Sequence, residues 1–172
     1  PTETRNRKNT SDAVETDGSP PTQVVSFRLA NEEYGLNIMA VQEIILMGEI
    51  TEIPEVPAYI RGLINLRGKV IPIVDLRNRF KLETGQPNEH TRIVVVNSNG
   101  HTFGIVVDAV NEVLRLEKCQ IEAPPKGVTG LDSAYIKGLV KMKEKIMILL
   151  EIDRILSQDD KSVMGTASEG EK

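Results

Sequence analysis

Residues 59 to 76 read YIRGLINLRGKVIPIVDL, and the alternation inside this stretch decides the fold. Taken as a hairpin that turns at Arg67-Gly68, it places Ile60, Gly62, Ile64 and Leu66 on one face. Ile71 and Ile73 of the return strand join them, because strand side chains alternate with period two. Gly68 supplies the permissive backbone of a tight turn, which leaves Arg67 projecting from the tip. Each large aliphatic, if fully buried, stabilises the fold by about 1.5–3 kcal/mol, so the hairpin can anchor a core. Pro72 cannot donate to a ladder and is expected at a sheet edge or a bulge. Asp75 then caps a short helix, Leu76 to about Phe80, whose two apolar ends lie four apart on one side.

The 172 residues suffice for one ordinary domain or two small ones. No apolar run approaches the roughly 18 residues of a membrane span. The N-terminus is polar and mixed in charge, unlike a signal peptide. Cys119 is the single cysteine, so an internal disulfide is excluded and a reducing, cytoplasmic setting is expected. A net charge of −4 argues against a nucleic-acid binder.

Residues 1–21 lack apolar periodicity and are expected to form a disordered tail, as are residues 158–172. From Thr22 the pattern turns to strands, QVVSFRL and EEYGLNI, with a turn at Asn31-Glu32. MAVQEIILM (39–47) fits either a short helix or a further strand. Residues 83–90, ETGQPNEH, read as a polar linker. RIVVVNS, HTFGIVVDAV and NEVLRL follow, then a loop with Pro124, Pro125, Gly127 and Gly130. SAYIKGLVKM and KIMILLEI complete the strands, and a last short helix runs from Glu151 to Ser157.

An internal repeat underlies this order. A shift of 69 pairs Thr22 with Thr91, Tyr34 with Phe103, Gly35 with Gly104, Val41 with Val110 and Glu43 with Glu112. A shift of 76 pairs Tyr59 with Tyr135, Arg61 with Lys137, Gly62 with Gly138 and Asp75 with Glu151. The chain therefore divides into a first repeat, 22–82, the linker, and a second repeat, 91–157. Short strands with Gly-rich turns predict an all-β fold with short helices, built as two small five-stranded barrels.

Catalytic equipment is missing from the pattern. His90 and His101 stand at no spacing that pairs them with Cys119 or with one another, so the cysteine is expected to be buried and no metal or cofactor is expected. Gly62 to Lys69 has five residues between its glycines and Val70 where a phosphate loop needs Ser or Thr. No carboxylate pair is forced together. Arg61, Arg67, Lys69, Arg77, Arg79 and Lys81 form a basic run, expected as a solvated rim. An OB-type barrel for single-stranded nucleic acid is the alternative, and a small hydrolase a third reading. The nucleic-acid barrel would need exposed aromatics, whereas Tyr34, Phe103, Tyr59 and Tyr135 stand at repeat-equivalent positions, as core residues do.

The segments EEYGLNIMAVQEI, IPEVPAYIRGLINLRGKVIPIVDLR and GIVVDAVNEVL strongly resemble the CheW family of bacterial chemotaxis coupling proteins. The likeness runs from about Gln23 to Leu156. It implies two five-stranded β-barrels, SH3-like or OB-like, and allows an exchange of strands across the repeat boundary. It further implies a non-enzymatic adaptor, without direct membrane insertion. Such an adaptor joins the cytoplasmic tips of methyl-accepting chemotaxis receptors to the CheW-like regulatory domain of the histidine kinase CheA. The positions matching the family's receptor-binding residues are Val41, Glu43, Gly62, Arg67, Gly104, Val110 and Val113. Packing alone could account for Gly62, Gly104, Val110 and Val113, whereas it requires no charge at Glu43 or Arg67. No residue is assigned to the kinase.

Overall fold

A computed structural model describes residues 20–83, 85–124 and 135–155. The expected tails fall outside it apart from Pro20 and Pro21, as do the loop glycines 127 and 130. Eleven strands are described: β1 (Thr22–Leu29), β2 (Glu32–Asn37), β3 (Val41–Leu46), β4 (Ile60–Leu66), β5 (Lys69–Asp75), β6 (Arg92–Ser98), β7 (His101–Val107), β8 (Ala109–Leu116), β9 (Ile121–Glu122), β10 (Ile136–Lys141) and β11 (Ile146–Leu150). A one-turn helix, α1 (Leu76–Arg79), follows β5, with the Asp75 carboxylate accepting from the Asn78 N–H as expected of its cap. The ambiguous stretch after Asn37 resolves into a 3-10 turn, Ile38–Ala40, and then strand β3. The first turn falls at Ala30-Asn31, one residue earlier than the pattern suggests.

Neither repeat builds a sheet by itself. One sheet has the order β3-β6-β7-β5-β4 and the other β8-β1-β2-β11-β10-β9. The first repeat thus lends β1 and β2 to the second, and the second lends β6 and β7 to the first. The loans are sealed by two parallel ladders, Ile73 beside Gly104 and Leu149 beside Gly35. Those two pairs are each other's repeat equivalents, so a pseudo-two-fold relates the sheets. Five-stranded barrels were the expectation; the sheets have five and six strands, and no closed barrel forms. In the six-stranded sheet the two-residue β9 counts as a strand against β10, whereas its counterpart in the other sheet is a single bridge, Thr51 to Leu63.

Three apolar clusters result. The largest lies where the sheets face one another and takes Phe27, Leu29, Tyr34 and Leu36 from one sheet with Val74, Val94, Phe103 and Ile105 from the other. Smaller clusters fill the opposite faces, around Val24, Met147 and Leu149 in one sheet and Ile64, Ile71 and Ile73 in the other. All three Phe and all three Tyr belong to the shared cluster or pack against it.

The central hairpin departs from its expected single face. Ile60 opposes Val74 but Gly62 opposes Ile73, so Arg61 is the extra residue of a β-bulge. The bulge reverses the alternation: Ile60 enters the shared core, while Ile64, Ile71 and Ile73 fill the other face. Lys137 makes the equivalent bulge in β10. Pro72 is also not at an edge, since β5 lies between β4 and β7. Its partner Leu63 exchanges both backbone bonds with Thr51 instead, at 2.8 Å each, and the ladder to β7 starts only at Ile73. No N–H is therefore asked of it.

Candidate functional site

Site geometry follows from where the exchange of strands leaves edges. β3 is an edge of the five-stranded sheet and β8 an edge of the six-stranded one. Val41 and Glu43 lie on β3, Val110 and Val113 on β8, Gly62 on β4, Gly104 on β7, and Arg67 at the β4–β5 turn.

Glu43 and Arg67 come together. Their strands stand at opposite edges of the sheet order, yet the Arg67 guanidinium grips the Glu43 carboxylate through both nitrogens, one at 3.3 Å from Oε1 and the other closer to Oε2. The sheet is curled enough for a side-chain pair to span its open seam. The hydrogen bond from Arg67 holds the Glu43 carboxyl below its usual range, and the same bond raises the Arg67 guanidinium. Arg67 is 70% exposed, so the expectation that it projects from the tip holds. It also adopts φ +54° beside Gly68 at +86°. Both central residues of the turn are thus left-handed, as a two-residue type I′ hairpin requires, although only the glycine announced it.

Val41 and Val110 are half-buried against the shared core, and Val113 is 52% exposed. Gly62 and Gly104 present no side-chain surface and are explained by packing. A Cβ on Gly62, whose φ is +147°, would lie 2.1 Å from the Thr51 carbonyl oxygen. A Cβ on Gly104 would meet Ile93 and Ile73 at 2.7 and 2.8 Å. Gly62 is fixed by a crossing backbone, not by an inward-facing side of the hairpin.

Sequence reasoning missed the outer side of β3. Ile44 and Leu46 are 40% and 70% exposed there, and Met39 just before the strand is 88% exposed. The alternation Gln42, Ile44, Leu46 carried the signal, hidden while a helix was equally compatible. Cys119 is exposed, contrary to expectation, because it sits on the 3-10 turn Lys118–Gln120 and not in a strand.

The basic run is more than a solvated rim. Arg61 faces Asp75 at 3.8 Å, Arg67 holds Glu43, and Arg77 clasps Asp108 at 2.6 Å. Arg79 sits over Tyr59 and Tyr135, with its carbon 4.5 and 5.1 Å from the ring centroids. With every aromatic committed to the shared core, a base-stacking platform has no residues left to form it.

Comparison with known proteins agrees. A family model described as the CheW-like domain matches residues 23–160. A chemotaxis protein CheW from Klebsiella aerogenes is 38% identical over 138 residues, covering 80% of this chain and 83% of that protein. One from Treponema pallidum is 32% identical over 142 residues, covering 80% and 84%. The crystal structure of a scaffolding protein, TtCheW from Thermoanaerobacter tengcongensis, is similar with a TM-score of 0.76 and 38% identity, covering 86% of this chain and 96% of that one.

Proposed function

This chain belongs to the CheW-like domain family, and from that premise we propose that it is a non-enzymatic adaptor of chemotaxis signalling, coupling receptor cytoplasmic tips to the kinase CheA. The observation that supports the reading best is the exposed Arg67–Glu43 pair on an edge strand whose other side is apolar and bare. A coupler needs two surfaces, and β3 offers two: Glu43 with Arg67 on one side, Ile44 and Leu46 on the other.

In the proposed mechanism a receptor helix lies against Val41, Val110 and Val113, and Arg67 turns from Glu43 to acceptors on that helix. Its planar fork suits carboxylates and carbonyls, which lysine would not reproduce. Gly62 and Gly104 act by holding the strands that carry these residues. The bare apolar side of β3 takes the related barrel of the kinase by burying Ile44 and Leu46. Bound in this way, the adaptor reaches membrane-associated receptor arrays without its own anchor; no helix among the described residues is long and apolar enough to cross a membrane.

The test is a paired titration of wild type, Arg67→Glu and Leu46→Glu against a receptor-tip fragment and the kinase regulatory domain. Arg67→Glu should weaken receptor binding by about tenfold or more and leave kinase binding intact; Leu46→Glu should do the reverse. Equal losses toward both partners would sink the two-surface model. Saturable binding of a single-stranded oligonucleotide at physiological salt would favour the nucleic-acid alternative instead.

A further inference from the structure

The duplication sets two pockets in matching places, and only one of them is filled. In the first, Arg61, Thr91 and Val106 line a space of about 20 Å³ that Gly85, Gln86 and Pro87 of the linker occupy. In the second, Lys137, Thr22 and Asn37 stand at the corresponding positions, shifted by 76 for the cation and by 69 for the other two. With Lys118, Ile121 and Leu149 they enclose about 380 Å³. That is room enough for a small ligand or a few residues of peptide.

Charge differs between the two in the same sense. Arg61 faces Asp75 at 3.8 Å. Lys137 has no ion-pair partner among the described residues; the acid on the neighbouring strand, Glu122, is taken by Lys141 at 3.5 Å. The second pocket therefore has a cation without an acid and an apolar wall without a cover.

The segment filling the first pocket precedes Thr91 by six to four residues. At the same distance before Thr22 stand Thr16, Asp17 and Gly18, with Val14 and Glu15 just upstream. Thr22 itself lines the second pocket, and five residues of extended chain span up to about 17 Å, so Asp17 can reach it. The basic residues of the N-terminal segment, Arg5, Arg7 and Lys8, lie further away in sequence. We infer that residues Val14–Asp17 dock in the second pocket in cis, as the linker docks in the first, with the Glu15 and Asp17 carboxylates toward Lys137 and Lys118 and Val14 against Ile121. This takes four residues out of the tail that composition alone reads as disordered.

The test uses the full chain and its charge variants, followed by NMR. In the wild type the heteronuclear NOE of residues 14–18 should exceed that of residues 4–10. Glu15→Lys with Asp17→Lys should lower it to the level of residues 4–10 and shift the methyl resonances of Ile121 and Leu149. Lys137→Glu should do the same, and the three substitutions together should restore much of the wild-type pattern. Equal NOE values along residues 4–18 of the wild type would overturn the inference, as would pocket methyls indifferent to the acidic pair. Shifts that revert on dilution would also overturn it, by showing that a second copy's segment fills the pocket in trans.

Discussion

Arg79 donates its Nε–H at 2.6 Å to the carbonyl of Ile155, the residue that holds Arg79's own place in the second repeat. The guanidinium also lies over Tyr59 and Tyr135, which are repeat equivalents of one another. One arginine therefore crosses the pseudo-two-fold and ties the end of the first repeat to the end of the second. Arg79→Ala should cost about 2–3 kcal/mol, combining a charge-assisted hydrogen bond with a partly desolvated cation–π contact. Arg79→Lys should recover only part of that, since an ammonium cannot keep the planar contact and the directed bond together. Urea unfolding of the three proteins decides, and a loss below about 0.5 kcal/mol for the alanine variant would make the contact incidental.

Gly62 and Gly104 should respond differently to alanine. At Gly62 the new Cβ meets a backbone oxygen at 2.1 Å and inherits φ +147°, neither of which can relax without breaking the Thr51 bridge. A loss of about 3 kcal/mol or more is expected. At Gly104 the obstacles are two isoleucine methyls, which can rotate away, and the loss should be about 1–3 kcal/mol. Denaturation midpoints will separate them; equal costs would mean that the Thr51 crossing yields as easily as a side chain.

Asp108 joins the two sheets at the β7–β8 junction. It accepts from Arg77 through both carboxylate oxygens and from the Ala30 N–H at 2.8 Å. Asp108→Ala leaves a partly buried guanidinium and an amide to find water, for a loss of about 2–3 kcal/mol. Hydrogen exchange should show the loss at the Ala30 turn as well as at α1. Protection unchanged at the turn would place the stabilisation in the ion pair alone.

The Glu43 carboxyl titrates below its usual value of 4.5, chiefly through its hydrogen bond from Arg67. A depressed folded value means that the pair's contribution is fully present above the unfolded pKa and fades as pH falls through the folded one. Carbon-detected NMR should find the Glu43 midpoint below those of exposed glutamates, and Arg67→Ala should raise it. Coincident midpoints in the two proteins would leave Arg67 without influence on this carboxylate.

What the sequence made readable was local or periodic. The hairpin, the Asp75 cap, the repeat and the placing of the aromatics at its equivalent positions all follow from spacing within a few residues or from a constant offset. The bulge at Arg61 did not, because an inserted residue leaves the letters alternating while the backbone changes face. Nor did the left-handed Arg67, whose strain is imposed by the twist of its strands. Pro72 misled for a related reason: a central strand tolerates proline where its neighbour is bonded elsewhere, and that neighbour's partner, Thr51, comes from another part of the chain. Of the site, the Glu43–Arg67 pairing needed the curl of the sheet, and the bare side of β3 needed the choice between strand and helix.

The exchange of strands also fixes the order in which the protein can be completed as it is made. β1 and β2 leave the ribosome first, but the residues of β11 that pair with β2 are made about a hundred residues later. At roughly 5–20 residues per second that is a wait on the order of 5–20 s. During it, Phe27, Leu29, Tyr34 and Leu36 have only part of their final cover, and β2 keeps an open edge toward the absent β11. The newborn first half is accordingly a client for chaperones and a candidate for pairing with the first half of a neighbouring nascent chain. Release comes with β11, whose arrival seals the six-stranded sheet and the shared core together, so that this small protein matures in one late step and not sheet by sheet.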